Sequence, residues 1–411
     1  MNLDQADPLF ATAERIGRLT DAIAGRETGR LRLCNLPGSA PAMLFAGLPA
    51  RRTPWLIVAD DPEAAGYMYH DLCQISGEPD RVAIFPSGYK RHIKYGQPDP
   101  PARILRTETL DAAVVPGRLR WIVTSPEALA EKVPLPDSLK SATLTVRAGA
   151  RTVMSDLVGS LRGMGFHEVD YVYEPGQFAR RGSILDVFSY SNEYPYRLDF
   201  FDDEVDSIRT FNVETQLSMG SQKEVSLIPA GGADTQDGVS LPEFLAATAP
   251  RGERPAVFCG SAEWVADRVR AICSESFSEA ALIADEGDPD AMKKTVSAEA
   301  FAEAFSAMRT VEYSGAAPGS RPGGAQVTEI DYGCSLQTLY HKNFDLIAES
   351  FTKFTADGYR IFILSDSDLQ TRRLKEIFAE RGDRIDFTPV SRTVHEGFVD
   401  NELKQCFFTD H

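Results

Sequence analysis

Pro54-Trp55-Leu56-Ile57-Val58-Ala59, closed by Asp60-Asp61-Pro62, decides the fold. Its apolar residues run on without alternation, as in a strand buried on both faces, and Asp61-Pro62 supplies a helix cap followed by a first-turn proline. The helix opened there is predicted to reach about Leu72. On the N-terminal side, Leu31 to Cys34 reads as a strand ending at Asn35-Leu36-Pro37-Gly38-Ser39. Helices are expected over residues 8 to 24 and Ala42 to Leu48. On the C-terminal side, Val82-Ala83-Ile84-Phe85 and Trp121-Ile122-Val123-Thr124 repeat the buried-strand pattern, and Ser125-Pro126-Glu127 opens another helix. Such alternation predicts an α/β unit over 1–142 with a mainly parallel sheet covered on both faces.

The pattern then changes. After a helix over Met154 to Met164, three stretches alternate polar with apolar: Glu168 to Tyr173, Ser183 to Phe188 and Tyr196 to Phe201. With Gly176 and Gly182 at turns and Asp202-Asp203-Glu204 as a tight acidic turn before Val205 to Arg209, they predict antiparallel strands in a small α+β domain over 143–227. Ile184 and Val187 are expected on its core side. A largely helical second part follows over 228–340, interrupted by the turn-rich loop Ser314 to Gly324. A C-terminal small α/β domain over 341–411 has a helix at Leu346 to Ala356, a strand at Tyr359 to Leu364, a helix at Asp368 to Arg381 and a strand near Lys404 to Phe408.

The 411 residues carry 60 acids against 43 Lys and Arg, a formal net charge of −17. That balance is a poor footprint for a stand-alone DNA binder, although it leaves room for a local basic patch. Lys90, Arg91, His92 and Lys94, followed by Arg103 and Arg106 and interleaved with Tyr89 and Tyr95, form such a patch. A solvated loop is the expected reading, the alternative being a patch that touches duplex DNA weakly if at all. The six cysteines are scattered with no CxxC pair, as for reduced thiols. The N-terminus carries acids where a signal peptide has Lys or Arg, and no apolar run is long enough to span a bilayer, so a cytoplasmic protein without membrane contact is expected.

No catalytic set can be assigned. The turn Leu36-Pro37-Gly38-Ser39-Ala40-Pro41-Ala42 sits where a phosphate-binding loop belongs, but it has one glycine, no lysine, and Pro41 in place of a backbone donor. Gly38, Ser39 and Pro41 are therefore a degenerate loop or a plain strand-to-helix turn, and no cofactor is expected there. The six histidines are dispersed. The acid-rich Asp199 to Asp206 lacks a calcium loop's spacing and suits a hairpin turn, so no metal site is expected. Ser125 and Ser189 lack the glycines of a nucleophile elbow.

Gly165-Phe166-His167-Glu168-Val169-Asp170, then Glu174-Pro175-Gly176-Gln177-Phe178-Ala179-Arg180-Arg181-Gly182-Ser183-Ile184-Leu185-Asp186-Val187-Phe188, and Tyr196 through Arg209, Phe211 and Thr215-Gln216 resemble one family. It is the N-terminal region of bacterial transcription-repair-coupling factors (Mfd), itself similar to the excinuclease ABC component UvrB. The resemblance is strongest from about 30 to 230. It implies a degenerate, helicase-like, UvrB-like parallel-sheet domain, a small α+β docking domain that binds the excinuclease component UvrA, and a small third domain. It also implies that the chain stops short of the parts that bind RNA polymerase and move on duplex DNA with ATP and magnesium, and of the C-terminal domain that masks the front. By motif, Arg181 and Glu204 carry over as protein-binding residues, with Arg180 and Phe178 beside them. Ala179 stands where UvrB has a further arginine, and Arg180, one place on, faces the opposite side of a strand. Arg181 could instead pair with Asp186 or Glu204 and brace the hairpin. The expected role is a non-catalytic module recruiting UvrA; the alternatives are a piece of an active helicase-like translocase, or a DNA-binding structural domain.

Overall fold

The structure, a computed structural model, describes residues 10–25, 30–89, 99–190, 192–228, 238–276, 291–319, 327–340, 343–383 and 385–409. The chain first lays down four strands, β1 (Arg30–Cys34), β2 (Trp55–Val58), β3 (Val82–Phe85) and β4 (Trp121–Thr124). It leaves for the small domain, which contains β5 (Leu144–Arg147), β6 (His167–Glu168), β7 (Gln177–Arg181), β8 (Ile184–Val187), β9 (Tyr196–Phe201), β10 (Glu204–Phe211), β11 (Ser218–Gln222) and β12 (Glu224–Leu227). It then returns with β13 (Ala256–Cys259), β14 (Arg309–Tyr313) and β15 (Val327–Asp331) to complete a parallel seven-stranded sheet in the order β15-β1-β14-β13-β2-β4-β3.

Period two decides what each face buries. Trp55 and Ile57 join Phe45, Phe258 and Val311 in one core, while Leu56 and Val58 join Ile122, Phe244 and Phe301 in the other. The two-faced sheet is as the apolar runs predict. Asp61 caps its helix as expected, its carboxylate accepting from the Ala64 N–H at 2.8 Å with Pro62 in the first turn. The expectation of a largely helical 228–340 needs correcting, because β13, β14 and β15 all lie in this stretch and pair into the first sheet.

In the small domain β6 to β11 form a six-stranded sheet in sequence order, and β5 pairs with β12 at its base. Leu157, Val158 and Leu161 of the helix Met154–Gly163 share a core with Phe178, Leu185, Val187, Leu198 and Ile208. Leu185, not Ile184, accompanies Val187 into that core, since side chains alternate and Ile184 is one place out of phase. The strand expected over Glu168 to Tyr173 shrinks to His167–Glu168. The N–H groups of Tyr173 and Glu174 donate to the Gln177 side-chain oxygen at 2.9 and 3.2 Å instead of to a neighbouring strand.

The third unit is a five-stranded sheet, β16 (Cys334–Leu336), β17 (Arg360–Leu364), β18 (Thr388–Val390), β19 (Phe398–Asp400) and β20 (Gln405–Thr409), in the order β16-β19-β20-β17-β18. It therefore begins before residue 341. Its Phe362, Phe398 and Phe407 pack into the large domain's core beside Phe10. The contact is pinned by Arg15 of the helix Ala13–Ala24, whose guanidinium holds the Asp400 carboxylate through two hydrogen bonds of 2.6 and 3.1 Å.

Burial pushes the Glu108 carboxyl, on the helix Pro100–Ala113, up to about 7, with the charge of Glu193 from the small domain adding to the shift. The folded chain thus holds a proton that the unfolded chain releases near its ordinary value of 4.5. Stability contributed here is full below that value and is lost as pH rises to about 7. Glu108→Gln is expected to flatten this decline, raising the melting temperature at pH 7.5 relative to wild type while changing it little at pH 4.5. Parallel melting curves at the two pH values check it, and equal effects at both would contradict it.

Candidate protein-docking face and the turn after β1

The side of the small sheet away from its core is built from alternate residues of β7 to β10. Asp186, 1% exposed at its side chain, sits at the centre. Arg197 grips it from β9 with a fork, Nε at 2.7 Å and Nη2 at 2.9 Å, and Arg181 reaches the same carboxylate from the end of β7. Arg197 also donates to the Gln216 side chain at 3.0 Å and lies 4.2 Å from the centroid of the Phe211 ring. Further along, Asp199 accepts from Arg209 and from Ser207 Oγ, the latter at 2.9 Å.

Arg181 keeps 36% of its side chain exposed and Arg209 keeps 41%; the Nε of each is buried without a partner among the described residues. Tyr171, 5.1 Å beneath the Arg181 guanidinium, and Phe201, 79% exposed, put aromatic surface beside these charges. Arginine forks already oriented by aspartates, with exposed aromatic neighbours, suit a protein interface, where Arg and aromatic residues supply most of the binding energy.

The candidate residues separate under this geometry. Arg181 lies on the charged face and pairs with Asp186, one of the two contacts within the domain that its sequence position leaves open. Glu204 is exposed at the start of β10, across from Phe201, and so shares one end of the sheet with Arg181. Asp202, whose φ of 56° is tolerable for aspartate, makes the tight turn between β9 and β10. Arg180 is exposed but alternates to the opposite side from Arg181. Phe178 is a correction: it is fully buried in the small domain's core and presents nothing to a partner. Asp186, Arg197, Asp199 and Arg209 were missed as site residues. The signal was present in Tyr196 to Phe201 and Val205 to Arg209, where charges alternate with core residues.

The basic patch also divides. Lys90, Arg91, His92 and Lys94 lie outside the described residues. Arg106 is buried, donating to the Pro86 carbonyl at 2.8 Å and pairing with the buried Glu131 at 3.4 Å, so it is withheld from nucleic acid. Arg103 is half-buried near the Tyr89 ring.

At the carboxyl end of β1 the turn to the helix Ala40–Ala46 faces a cavity of about 440 Å³. Gly38 takes φ +55°, and a Cβ there would meet the carbonyl oxygens of Gly397 and Glu396 at 3.1 and 3.2 Å. The third unit fills the cradle. The Ser39 N–H donates to the Glu396 carbonyl at 3.1 Å, and Ser39 Oγ accepts from the Glu396 N–H at 3.0 Å while donating to Asp71 at 2.5 Å. Burial holds the Asp71 carboxyl above its usual range, opposed by its bonds from Ser39 and His395. Asp60, Asp71 and Glu396 line the cavity, and no lysine or arginine is among its described lining residues. The described residues bring no group of three His, Cys, Asp or Glu together as a metal site, and no helix among them is long and apolar enough to cross a membrane.

Residues 144–232 match the UvrB interaction domain. The chain is 30% identical over 207 residues to the transcription-repair-coupling factor of Escherichia coli (strain K12), covering 50% of this chain and 18% of that protein. The corresponding figures are 33% over 210 residues for that of Myxococcus xanthus, covering 49% and 17%, and 26% over 199 residues for that of Bacillus subtilis (strain 168), covering 48% and 17%. The resemblance drawn from the motifs, to the N-terminal region of these factors and its UvrB-like module, is borne out. The matched stretch spans less than a fifth of the length of each relative.

Proposed function

We propose that this chain is a protein-docking module of transcription-coupled DNA repair that recruits the excision-repair protein UvrA to RNA polymerase stalled at lesions. The observation that carries the reading is the match of 144–232 to the UvrB interaction domain, a segment whose outer sheet face presents Arg181 and Arg209 as preset forks. In a longer parent, polymerase binding, translocation on duplex DNA with ATP and magnesium, and masking of this front by a C-terminal domain would fall to other parts. The cytoplasm is the compartment in which such a module works. Co-elution of the chain with purified UvrA on size exclusion tests the reading. A shared peak is expected, and separate peaks at concentrations of about 10 μM, where a specific interface of ordinary strength is saturated, would contradict it.

The module is expected to have no ATPase activity of its own. An entering polyphosphate would meet three carboxylates and no lysine, and the loop's N–H at Ser39 is already committed to Glu396. Steady-state phosphate release with and without DNA is expected to stay at the level of a mock preparation. Turnover abolished by Ser39→Ala would overturn this and favour a piece of an active translocase.

A further inference from the structure

The parallel sheet has a second charged end, opposite the turn at Gly38 and Ser39. Six adjacent strands each start at or just after an arginine: Arg30 opens β1, Arg309 opens β14, Arg254 precedes β13, Arg52 precedes β2, Arg120 precedes β4 and Arg81 precedes β3. The register makes this a row. Leu31 pairs with Val311, Ala256 with both Arg309 and Trp55, and Trp121 with both Trp55 and Val82. The turns are also joined, with the Gly117 N–H on the Arg52 carbonyl at 2.8 Å and the Arg51 guanidinium on the Arg254 carbonyl at 2.7 Å. At about 4.8 Å per strand, six strands give a rim roughly 24 Å long.

Part of this charge serves the fold. Arg81 and Arg120 pair with Glu78, Arg309 holds the carbonyls of Ala22 and Gly25, and Arg51 and Arg120 lie over Trp55 and Trp121. The rest points outward. Arg30, Arg52, Arg118 and Arg251 are exposed and take part in no ion pair among the described residues. Glu78, Asp80 and Glu253 share these turns, so the nine arginines named leave the strip net positive in a chain of net charge −17.

We propose that this amino-end rim is a contact surface for the phosphate backbone of duplex nucleic acid. The inference is independent of the docking face and of the Lys90 to Lys94 loop. Arginine forks match phosphate oxygens, and a linear strip can follow a backbone without reading its sequence. A protein partner would need a buried apolar or aromatic centre. Trp55 and Trp121 are buried, and among the large apolar residues of these turns Val115 stands exposed. With no exposed aromatic ring among the described residues of these turns to stack an unpaired base, the strip suits a duplex over a single strand.

The test is fluorescence anisotropy of an 18-base-pair duplex with the 411-residue chain at several salt concentrations between 50 and 150 mM. Arg52→Ala/Arg118→Ala/Arg251→Ala is expected to bind at least tenfold more weakly than wild type at 50 mM salt. It should also lower the salt slope by roughly two to three, about one for each phosphate no longer neutralised. Its melting temperature should be unchanged, because these side chains hold no ion pair, and Lys90→Ala/Lys94→Ala should keep most of the affinity. A triple variant with wild-type affinity and slope overturns the proposal. So does loss confined to the lysine variant, or preferential binding of a polyglutamate peptide, which would make the rim a site for an acidic protein segment.

Discussion

Replacing Asp400 with alanine is expected to cost about 3–5 kcal/mol, the range for removing one partner of a buried ion pair. Asp400 is fully buried and accepts from both terminal nitrogens of Arg15 and from the N–H groups of Glu402 and Leu403, each at 3.0 Å. The variant would strand a guanidinium that is 4% exposed between Phe10 and Tyr332, leaving it the Phe10 carbonyl at 3.5 Å and, as counter-charge among the described residues, the partly exposed Glu402. The pair joins the N-terminal helix to the third unit, so the expected result is early separation of the two. Urea unfolding followed by tryptophan fluorescence and by proteolysis after the third unit measures it. A loss below about 1 kcal/mol would show that the site relaxes or admits water.

Phe178→Ala is expected to destabilise the small domain by roughly 3–5 kcal/mol, through lost transfer energy and the cavity left behind. For a domain of this size that lowers the melting temperature by more than about 10 °C. Phe178 is packed with Leu161, Leu185 and Leu198, so any loss of binding to UvrA would follow unfolding. Calorimetric melting separates the two roles. A variant that melts like wild type yet fails to bind would restore Phe178 as a contact residue.

The large sheet was legible because strands buried on both faces need no alternation, and Trp55 to Val58 and Trp121 to Thr124 announce themselves as apolar runs. β13 and β14 have equally short cores, but they lie among helical stretches and complete a sheet begun some 200 residues earlier, a pairing with no local signal. The docking face was half legible. Motif resemblance singles out Arg181, whereas Asp186, Arg197 and Arg209 become neighbours only through the antiparallel register of β7 to β10. Phe178 was misplaced because a motif position does not say which side of a strand it occupies. The arginine rim was invisible in sequence, since its members stand at six separate strand starts that only the parallel order gathers.

Asp186 is held by the Arg197 fork as well as by Arg181, so removing Arg181 does not leave its buried carboxylate unpaired. The fold is therefore expected to tolerate the loss of Arg181, whose side chain, 36% exposed, can reach a partner carboxylate. Calorimetric titration of purified UvrA with wild-type chain and with Arg181→Ala, alongside thermal melting, is the most direct measurement. The expected result is specific binding by wild type, a loss of roughly 2 kcal/mol or more in the variant, about 30-fold in affinity, and melting temperatures that agree closely. Unchanged affinity with a clearly lowered melting temperature would make Arg181 a brace of the hairpin, and absence of binding by the wild-type chain would contradict the docking function itself.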